Sequence, residues 1–155
     1  MTDVVMAIVI ATVVLVNGLA AGVLVGTQLG GFPLMETLSV ERYVEVHAFF
    51  STRYDPFMPG CLLITVFGDV AVVILYHGDL RATLCVVAAL AAIGTIVISL
   101  TKNVPLNKWV QQLDPRQTPA DWQERRSSWG VWNRRRTYLI TVALIANCIA
   151  AAVLR

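Results

Sequence analysis

The sequence predicts an all-α fold: an integral membrane four-helix bundle with short amphipathic cytoplasmic helices. Of the 155 residues, 57% are hydrophobic and only 14% are charged, whereas a soluble domain carries about 25% charged residues. Four long apolar segments each suffice to cross a hydrocarbon core of ~30 Å as a helix. The length fits a single membrane domain over residues 1–155.

The four transmembrane helices follow from the uncharged stretches of the chain. We predict spans at about residues 4–25, 56–76, 82–100 and 137–154. The first span is preceded by Met1-Thr2-Asp3, which lacks the basic residues of a signal peptide, so we expect a retained helix. Asp69 is the acidic residue within the second span, and the other spans carry no charge.

The positions of Lys and Arg predict the orientation. The segments flanking the spans on one side, including 27–55 and 101–136, hold ten basic residues: Arg42, Arg53, Lys102, Lys108, Arg116, Arg125, Arg126, Arg134, Arg135 and Arg136. The other side holds Arg81 and Arg155. Because basic loops stay in the cytoplasm, the 1–2 and 3–4 connections are predicted to be cytoplasmic cap segments, with both termini outside.

Three polar residues are predicted at a similar depth within the bundle. Asn17, Asp69 and Asn147 lie about 14–16 Å from the cytoplasmic ends of their spans at ~1.5 Å per residue. A carboxyl group at that depth must be protonated, paired or wetted. We expect a neutral Asp69 that is hydrogen-bonded near Asn17 or Asn147. Either this bond sets the helix register, or Asp69 serves a proton or substrate role.

The first span carries glycines at four-residue spacing, namely Gly18, Gly22 and Gly26. Small residues on one face let another helix backbone approach closely. Packing within the bundle and a homo-oligomer formed through this face both remain open.

The first cytoplasmic segment contains an amphipathic helix from about Val40 to Thr52, with Ser39 as its N-cap. On a helical wheel, His47 lies at the centre of the apolar stripe, whose members are Val40, Tyr43, Val44, Phe50, Ser51 and Tyr54. Glu41, Arg42 and Glu45 lie on the other side. A histidine in this position either packs at the interface or takes part in chemistry.

The second cytoplasmic segment contains two predicted helices. Pro105 is placed in the first turn of one, and Thr118-x-x-Asp121 resembles a capping box that opens the other. Along the latter, one face carries Trp122, Trp129, Asn133 and Arg136. Eleven of the thirteen aromatic residues belong to the cytoplasmic half, which predicts a pocket for a flat, apolar molecule.

Three stretches resemble the anthrone oxygenase family of small four-helix membrane proteins: Arg53-Tyr54-Asp55-Pro56-Phe57-Met58-Pro59, Asn103-x-Pro105-x-Asn107 and Trp129-x3-Asn133-x2-Arg136. The order of elements along the whole chain is also similar. The resemblance implies a monooxygenase that converts an anthrone to an anthraquinone with O2 as co-substrate. An anthrone has an acidic methylene group, and its enolate is electron-rich enough to reduce O2 directly.

That chemistry requires a base, donors for an enolate oxygen and a dry aromatic slot. His47 is the candidate base because its pKa is naturally near ~6.5. The candidate donors are Arg136, Asn133, Asn103 and Asn107. The candidate substrate-binding walls are Tyr43, Tyr54, Trp129 and Phe50.

No G-x-G-x-x-G motif is present, so no organic cofactor is expected. A facial-triad metal site needs two histidines and a carboxylate, and the predicted topology puts His47 and His77 on opposite sides. A metal held by His47 with Asp55 or Glu36, or a site shared across an oligomer, remains open but is not favoured. The expected partners are an apolar aromatic molecule and the lipid bilayer, and no nucleic acid. A proton-coupled carrier using Asp69 and an accessory scaffold subunit are the alternatives.

Overall fold

The computed structural model describes residues 2–76 and 78–153, and within them every regular element is helical. The α-helices are α1 (Thr2–Gly26), α2 (Phe32–Thr37), α3 (Val40–Arg53), α4 (Phe57–Leu75), α5 (Leu80–Ile98), α6 (Val104–Gln111) and α7 (Trp122–Ala152). Two π-helical turns, Thr27–Gly31 and Ser99–Asn103, join α1 to α2 and α5 to α6. A short 3-10 turn at Pro115–Gln117 precedes α7. The predicted all-α fold is confirmed.

Four helical runs are long and apolar enough to cross a membrane: Val4–Thr37, Phe57–Leu75, Leu80–Gln111 and Trp122–Ala152. The chain is therefore a multi-pass membrane protein. Three of these runs extend well beyond the predicted spans, and the cytoplasmic helix predicted before the last span is part of one continuous α7. The reason is that no proline lies between Trp122 and Ala152, so nothing removes a hydrogen bond from that helix.

The four long helices form a closed ring of neighbours, in which α1 packs against α4 and α7, and α5 packs against the same two helices. Small side chains allow this close packing. On α5, small side chains at helical spacing are buried at Ala88, Ala91, Ala92 and Thr95. The helices α3 and α6 pack on each other at the end of the bundle that carries segments 27–55 and 101–136. This end is called the basic end below.

Local predictions at the helix starts have mixed outcomes. Ser39 occupies the N-cap position of α3, although its side chain makes no capping hydrogen bond. Pro105 lies in the first turn of α6, as predicted. The predicted capping box is wrong, because α7 begins at Trp122. The N-cap position is Asp121, so Thr118 lies before the helix, where its hydroxyl donates to the carbonyl of Pro115 at 2.8 Å.

The glycine face of α1 is mostly open. A Cβ on Gly18 would meet Leu144 of α7 at 3.9 Å, whereas a Cβ on Gly22 or Gly26 would meet nothing within 4 Å. A homo-oligomer through this face therefore stays a prediction. The close approaches that the sequence analysis missed are at two other glycines.

A Cβ on Gly68 would collide with Val13 of α1, and a Cβ on Gly130 would collide with the ring of Phe32. Both positions need glycine because a neighbouring side chain fills the space that a Cβ would take. Neither glycine belongs to a repeated pattern along its helix, so the sequence alone offered no sign of these contacts.

The polar layer inside the bundle is fully buried, with exposures of 0% for Asn17, 0% for Asp69 and 1% for Asn147. Asn147 faces the Asp69 carboxyl group, but neither carboxyl oxygen has a partner at hydrogen-bond distance. Both side-chain polar atoms of Asn17 and Nδ2 of Asn147 also lack partners. The expected hydrogen bond to Asp69 is therefore not formed at hydrogen-bond distance, although Asn147, one of its two expected partners, faces the carboxyl group.

Candidate active site

A cavity of about 430 Å³ lies at the basic end, between the ends of the long helices and α3. This volume is typical of small-molecule sites, which span about 300–1,000 Å³ and combine apolar walls with a few polar groups. Its polar lining residues are Thr27, His47, Ser51, Tyr54, Asp55, Ser99, Asn107 and Arg136. Apolar side chains, among them Leu24, Phe50, Met58, Leu62, Ile96 and Trp129, supply much of the remaining lining.

The two π-helical turns both contribute to this cavity. Thr27 and Gly31 line it from the first turn, and Ser99 and Leu100 line it from the second. Such turns often occur at functional sites, because the inserted residue changes which side chains a helix presents. The sequence analysis placed the end of a span near each turn and did not anticipate either.

His47 is buried, and its Nε2 lies 3.0 Å from Oδ1 of Asn107. The indole Nε1–H of Trp129 donates to the same oxygen at 2.7 Å. An indole nitrogen is a donor only, so the Asn107 atom between the two rings must be the amide oxygen. The Nε2 of His47 therefore carries the hydrogen. The lone pair of the neutral imidazole is then on Nδ1, which is buried and has no hydrogen-bond partner.

The surroundings of His47 keep it neutral. Burial lowers the pKa of His47 below its ordinary value, and the positive charge of Arg136 lowers this pKa further. The hydrogen bond to Asn107 acts in the opposite direction, because the acceptor oxygen stabilises the protonated ring. Burial is the largest of these effects, so the imidazole is an available proton acceptor at neutral pH.

Aromatic rings surround the histidine. The ring of Trp129 lies edge-on to His47 with a centroid distance of 4.9 Å, and Phe50 and Tyr54 stack on each other at 6.1 Å. These three aromatic residues line the cavity. Tyr43, the fourth predicted wall, does not line it. Tyr43 is one helical turn before His47 and is 1% exposed, and its ring packs edge-on against the His47 ring at a centroid distance of 5.2 Å.

Arg136 lines the cavity and is held on two sides. Its Nε and Nη2 donate to Oδ1 of Asn133 at 3.1 and 2.9 Å, and its Nη1 donates to the Ser99 hydroxyl at 3.1 Å. The Nδ2 of Asn133 in turn donates to Oε1 of Gln28 at 3.2 Å. This network fixes the guanidinium group on the wall of the cavity. The sequence analysis did not assign Gln28 or Ser99 to the site.

Two of the predicted oxyanion donors are not among the lining residues. Asn133 is fully buried against Arg136, and Asn103 is fully buried with its Nδ2 donating to the carbonyl of Trp129 at 3.2 Å. Each amide therefore acts on the cavity through a neighbouring residue that lines it: Asn133 through Arg136, and Asn103 through Trp129. Asn107 and Arg136 are the candidate donors whose side chains line the cavity directly.

The candidate metal ligands are only partly brought together. His47 and Asp55 both line the cavity, whereas Glu36 does not. His77 lies outside the described residues. Within residues 2–76 and 78–153, no group of three or more His, Cys, Asp or Glu side chains is positioned to hold a metal ion. Two side chains are fewer than the three protein ligands of a typical catalytic metal site.

The fold and this site define a multi-pass membrane protein with a buried, aromatic-walled cavity at one end of its helix bundle. The sequence model of the family described as anthrone oxygenase matches residues 47–146, which is more than half of the chain. The chain therefore belongs to the anthrone oxygenase family. The match begins at His47 and includes Asn107, Trp129 and Arg136. No curated protein and no solved structure matched the chain.

Proposed function

We propose that this protein is a membrane-embedded oxygenase that uses O2 to oxidise the acidic methylene group of an anthrone-type aromatic substrate, without an organic cofactor. Family membership supports an oxygenase-like role. The observation that carries the proposal is the bond from His47 Nε2 to Asn107, which leaves Nδ1 unpartnered in a residue that lines an aromatic cavity.

In the proposed reaction, Nδ1 of His47 accepts a proton from the methylene carbon, and an enolate forms. The enolate carbon gives electrons to O2 and forms a C–O bond, and the peroxide oxygen takes the proton back from His47. Loss of the second hydrogen as a proton accompanies cleavage of the O–O bond, so that a ketone and one water leave. One O2 is consumed for each anthrone converted to anthraquinone and water.

Arg136 and Asn107 are the proposed partners of the enolate oxygen. The guanidinium group of Arg136 supplies positive charge on the cavity wall, and the Nδ2 of Asn107 supplies a neutral donor while its Oδ1 is engaged. Preorganised donors of this kind stabilise charge that develops during the reaction, because they need not reorient. Phe50, Tyr54 and Trp129 would enclose the aromatic rings of the substrate and exclude water.

No step of this reaction is routed through a metal ion. His47 and Asp55 are the side chains that would hold one, as a two-ligand set on the cavity wall. A metal bound there would supply direct activation of O2. Loss of activity on chelation, with recovery on addition of iron or copper, would establish that alternative.

The test of the base is His47→Ala in protein reconstituted in lipid, with O2 uptake and quinone formation measured on anthrone. We expect the rate to fall by roughly 10²–10⁴-fold, the usual effect of losing a positioned base. The control is Phe49→Ala, because Phe49 is on the same helix, is 56% exposed and does not line the cavity. Normal turnover by a folded His47→Ala protein at saturating O2 would contradict the proposal.

The proposed orientation places the basic end, and hence the cavity, on the cytoplasmic side, with both termini outside. Ten Lys and Arg residues flank the spans at this end, in accordance with the positive-inside rule. Cysteine-accessibility labelling of an exposed position in α3, such as Thr52→Cys, in sealed vesicles would test it.

A proton-coupled carrier that uses Asp69 is the second candidate. The observation in its favour is the buried layer of Asn17, Asp69 and Asn147 with five unpartnered polar atoms. Against it, none of these three residues lines the cavity. A scaffold subunit that binds a partner helix through the glycine face of α1 is the third candidate, and against it Gly26 of this face lines the cavity.

A further inference from the structure

The mouth of the cavity is bordered by apolar side chains of two transmembrane helices. Leu63 of α4 is 47% exposed and Leu100, just after α5, is 63% exposed, and both also line the cavity. A residue that is exposed and also lines a cavity stands at its rim. One turn before each leucine, the lining residues Pro59 and Ile96 are also uncharged. The exposed carboxyl group that lines the cavity, Asp55, lies in the turn between α3 and α4.

The faces of α4 and α5 that carry these leucines follow from the positions of two glycines. Gly68 faces Val13 of α1, and Gly94 faces Leu139 of α7. At ~100° per residue, Leu63 lies about 140° around α4 from Gly68, and Leu100 about 120° around from Gly94. Leu63 therefore points away from α1 and Leu100 points away from α7, and both side chains are exposed on the outer surface of the bundle.

The aqueous end of the cavity is covered by α3. This helix packs on α6, and the side-chain amide of Gln111 donates to the hydroxyl of Ser51 at 3.0 Å. Phe50, Ser51 and Tyr54 from α3 line the cavity on this side. The covered side faces the aqueous end of the bundle, and the apolar rim lies where α4 and α5 face lipid.

We infer that Leu63 and Leu100 flank a lateral portal between α4 and α5, through which an apolar aromatic ligand dissolved in the bilayer reaches the cavity. The ligand class rests on the proposed function, whereas the route rests on the position of the rim. A flat hydrocarbon is concentrated in the bilayer, and the part of the rim on α4 and α5 carries apolar side chains, which hold no charge that would have to be desolvated as the ligand passes. Substrates that partition into the membrane would therefore be preferred over charged, water-soluble ones.

The experiment uses the full chain in lipid nanodiscs and anthracene as an unreactive probe, with association followed by stopped-flow fluorescence anisotropy. Leu63→Trp and Leu100→Trp narrow the portal. Matched controls are available, because Ile64 is also 47% exposed, Leu90 is also 63% exposed, and neither lines the cavity. We expect at least a tenfold slower association in both portal variants, and the wild-type rate in Ile64→Trp and Leu90→Trp.

Association at the wild-type rate in both portal variants would overturn the portal and leave the proposed function intact. The same conclusion would follow if the two control variants slowed association equally. If instead wild-type protein does not bind anthracene at all, the aromatic site of the proposed function is wrong, and the portal proposal is wrong as well. A charged probe, anthracene-2-sulfonate, extends the test, and we expect it to associate more slowly than anthracene with the wild-type protein.

Discussion

The indole N–H of Trp129 donates to Oδ1 of Asn107 at 2.7 Å, and this contact determines which nitrogen of His47 is basic. Because the indole can only donate, it holds the amide oxygen toward His47. The amide oxygen then accepts from Nε2 of His47, which places the lone pair on Nδ1. Trp129 thus positions the proposed base without touching its reactive nitrogen.

Removal of the indole donor should disturb this arrangement. In Trp129→Phe, the amide of Asn107 is free to rotate and present Nδ2 to His47, which favours the other tautomer. We expect the oxidation rate to fall by about tenfold or more, which is less than for His47→Ala. Nitrogen-15 chemical shifts of the His47 ring would report the change of tautomer.

The matched control for that substitution is Trp132→Phe. Trp132 is on the same helix, packs under Lys102 and Arg135 and does not line the cavity. An unchanged tautomer in Trp129→Phe would show that Asn107 is oriented by something else.

The pH dependence of the reaction follows from the lowered pKa of His47. Only the neutral imidazole accepts a proton, so kcat/KM should rise with pH and reach half of its maximum below 6.5, the ordinary histidine value. Because kcat/KM reports the free enzyme, the midpoint is measured directly from the profile. A midpoint above 6.5, or a rate that falls as the pH rises from 5 to 8, would be inconsistent with His47 as the base.

Arg136 affects both the rate and this titration. Arg136→Ala removes a donor to the enolate oxygen, and a loss of about 10²–10³-fold is expected from comparable oxyanion sites. The positive charge of Arg136 also lowers the pKa of His47, so the midpoint of the profile should move upward. The control is Arg134→Ala, an exposed position two residues away that does not line the cavity. A rate loss without a shift of the midpoint would show that the charge of Arg136 does not act on the pKa of the base.

The packing of Gly130 against Phe32 predicts a stability effect. A Cβ at Gly130 would collide with the phenyl ring, so Gly130→Ala should lower the free energy of unfolding by about 1–3 kcal/mol, as overpacking does. In Gly60→Ala, by contrast, the new Cβ meets nothing within 4 Å. Alanine is favoured over glycine within a helix, so the free energy of unfolding should rise by about 0.5–1 kcal/mol. Thermal unfolding in detergent compares the two, and equal melting temperatures would refute the assigned contact.

Asp69→Asn tests the alternative carrier function. Because Asp69 does not line the cavity, the variant should fold and retain most of its anthrone oxidation. Asn17→Ala serves as the comparison, since it removes two unpartnered polar atoms from the same layer. Complete loss of turnover in a normally folded Asp69→Asn protein would show that Asp69 takes part in the mechanism, and it would favour the function as a proton-coupled carrier.

The helical segments and their buried stripes were predictable because they depend on local periodicity. The apolar stripe of α3 centred on His47, the exposed positions of Glu41 and Glu45, and the small face of α5 all follow from spacing along one helix. The four membrane spans follow from composition and length alone. The stripes are decided by neighbours three or four residues away, and the spans are decided by the composition of about 20 consecutive residues.

The grouping of the site was decided by the tertiary structure, because it depends on contacts between residues 22 to 105 positions apart. Tyr43 and Trp129 are both aromatic residues on predicted apolar faces, yet only Trp129 lines the cavity. Asn103 and Asn107 are one turn apart, yet Asn103 is buried against α7 while Asn107 bridges two rings. The sequence by itself determined which residue types were available on each helix face. The packing of α3, α6 and α7 determined which of these side chains meet, since a side chain's partners depend on the direction and distance of the neighbouring helix.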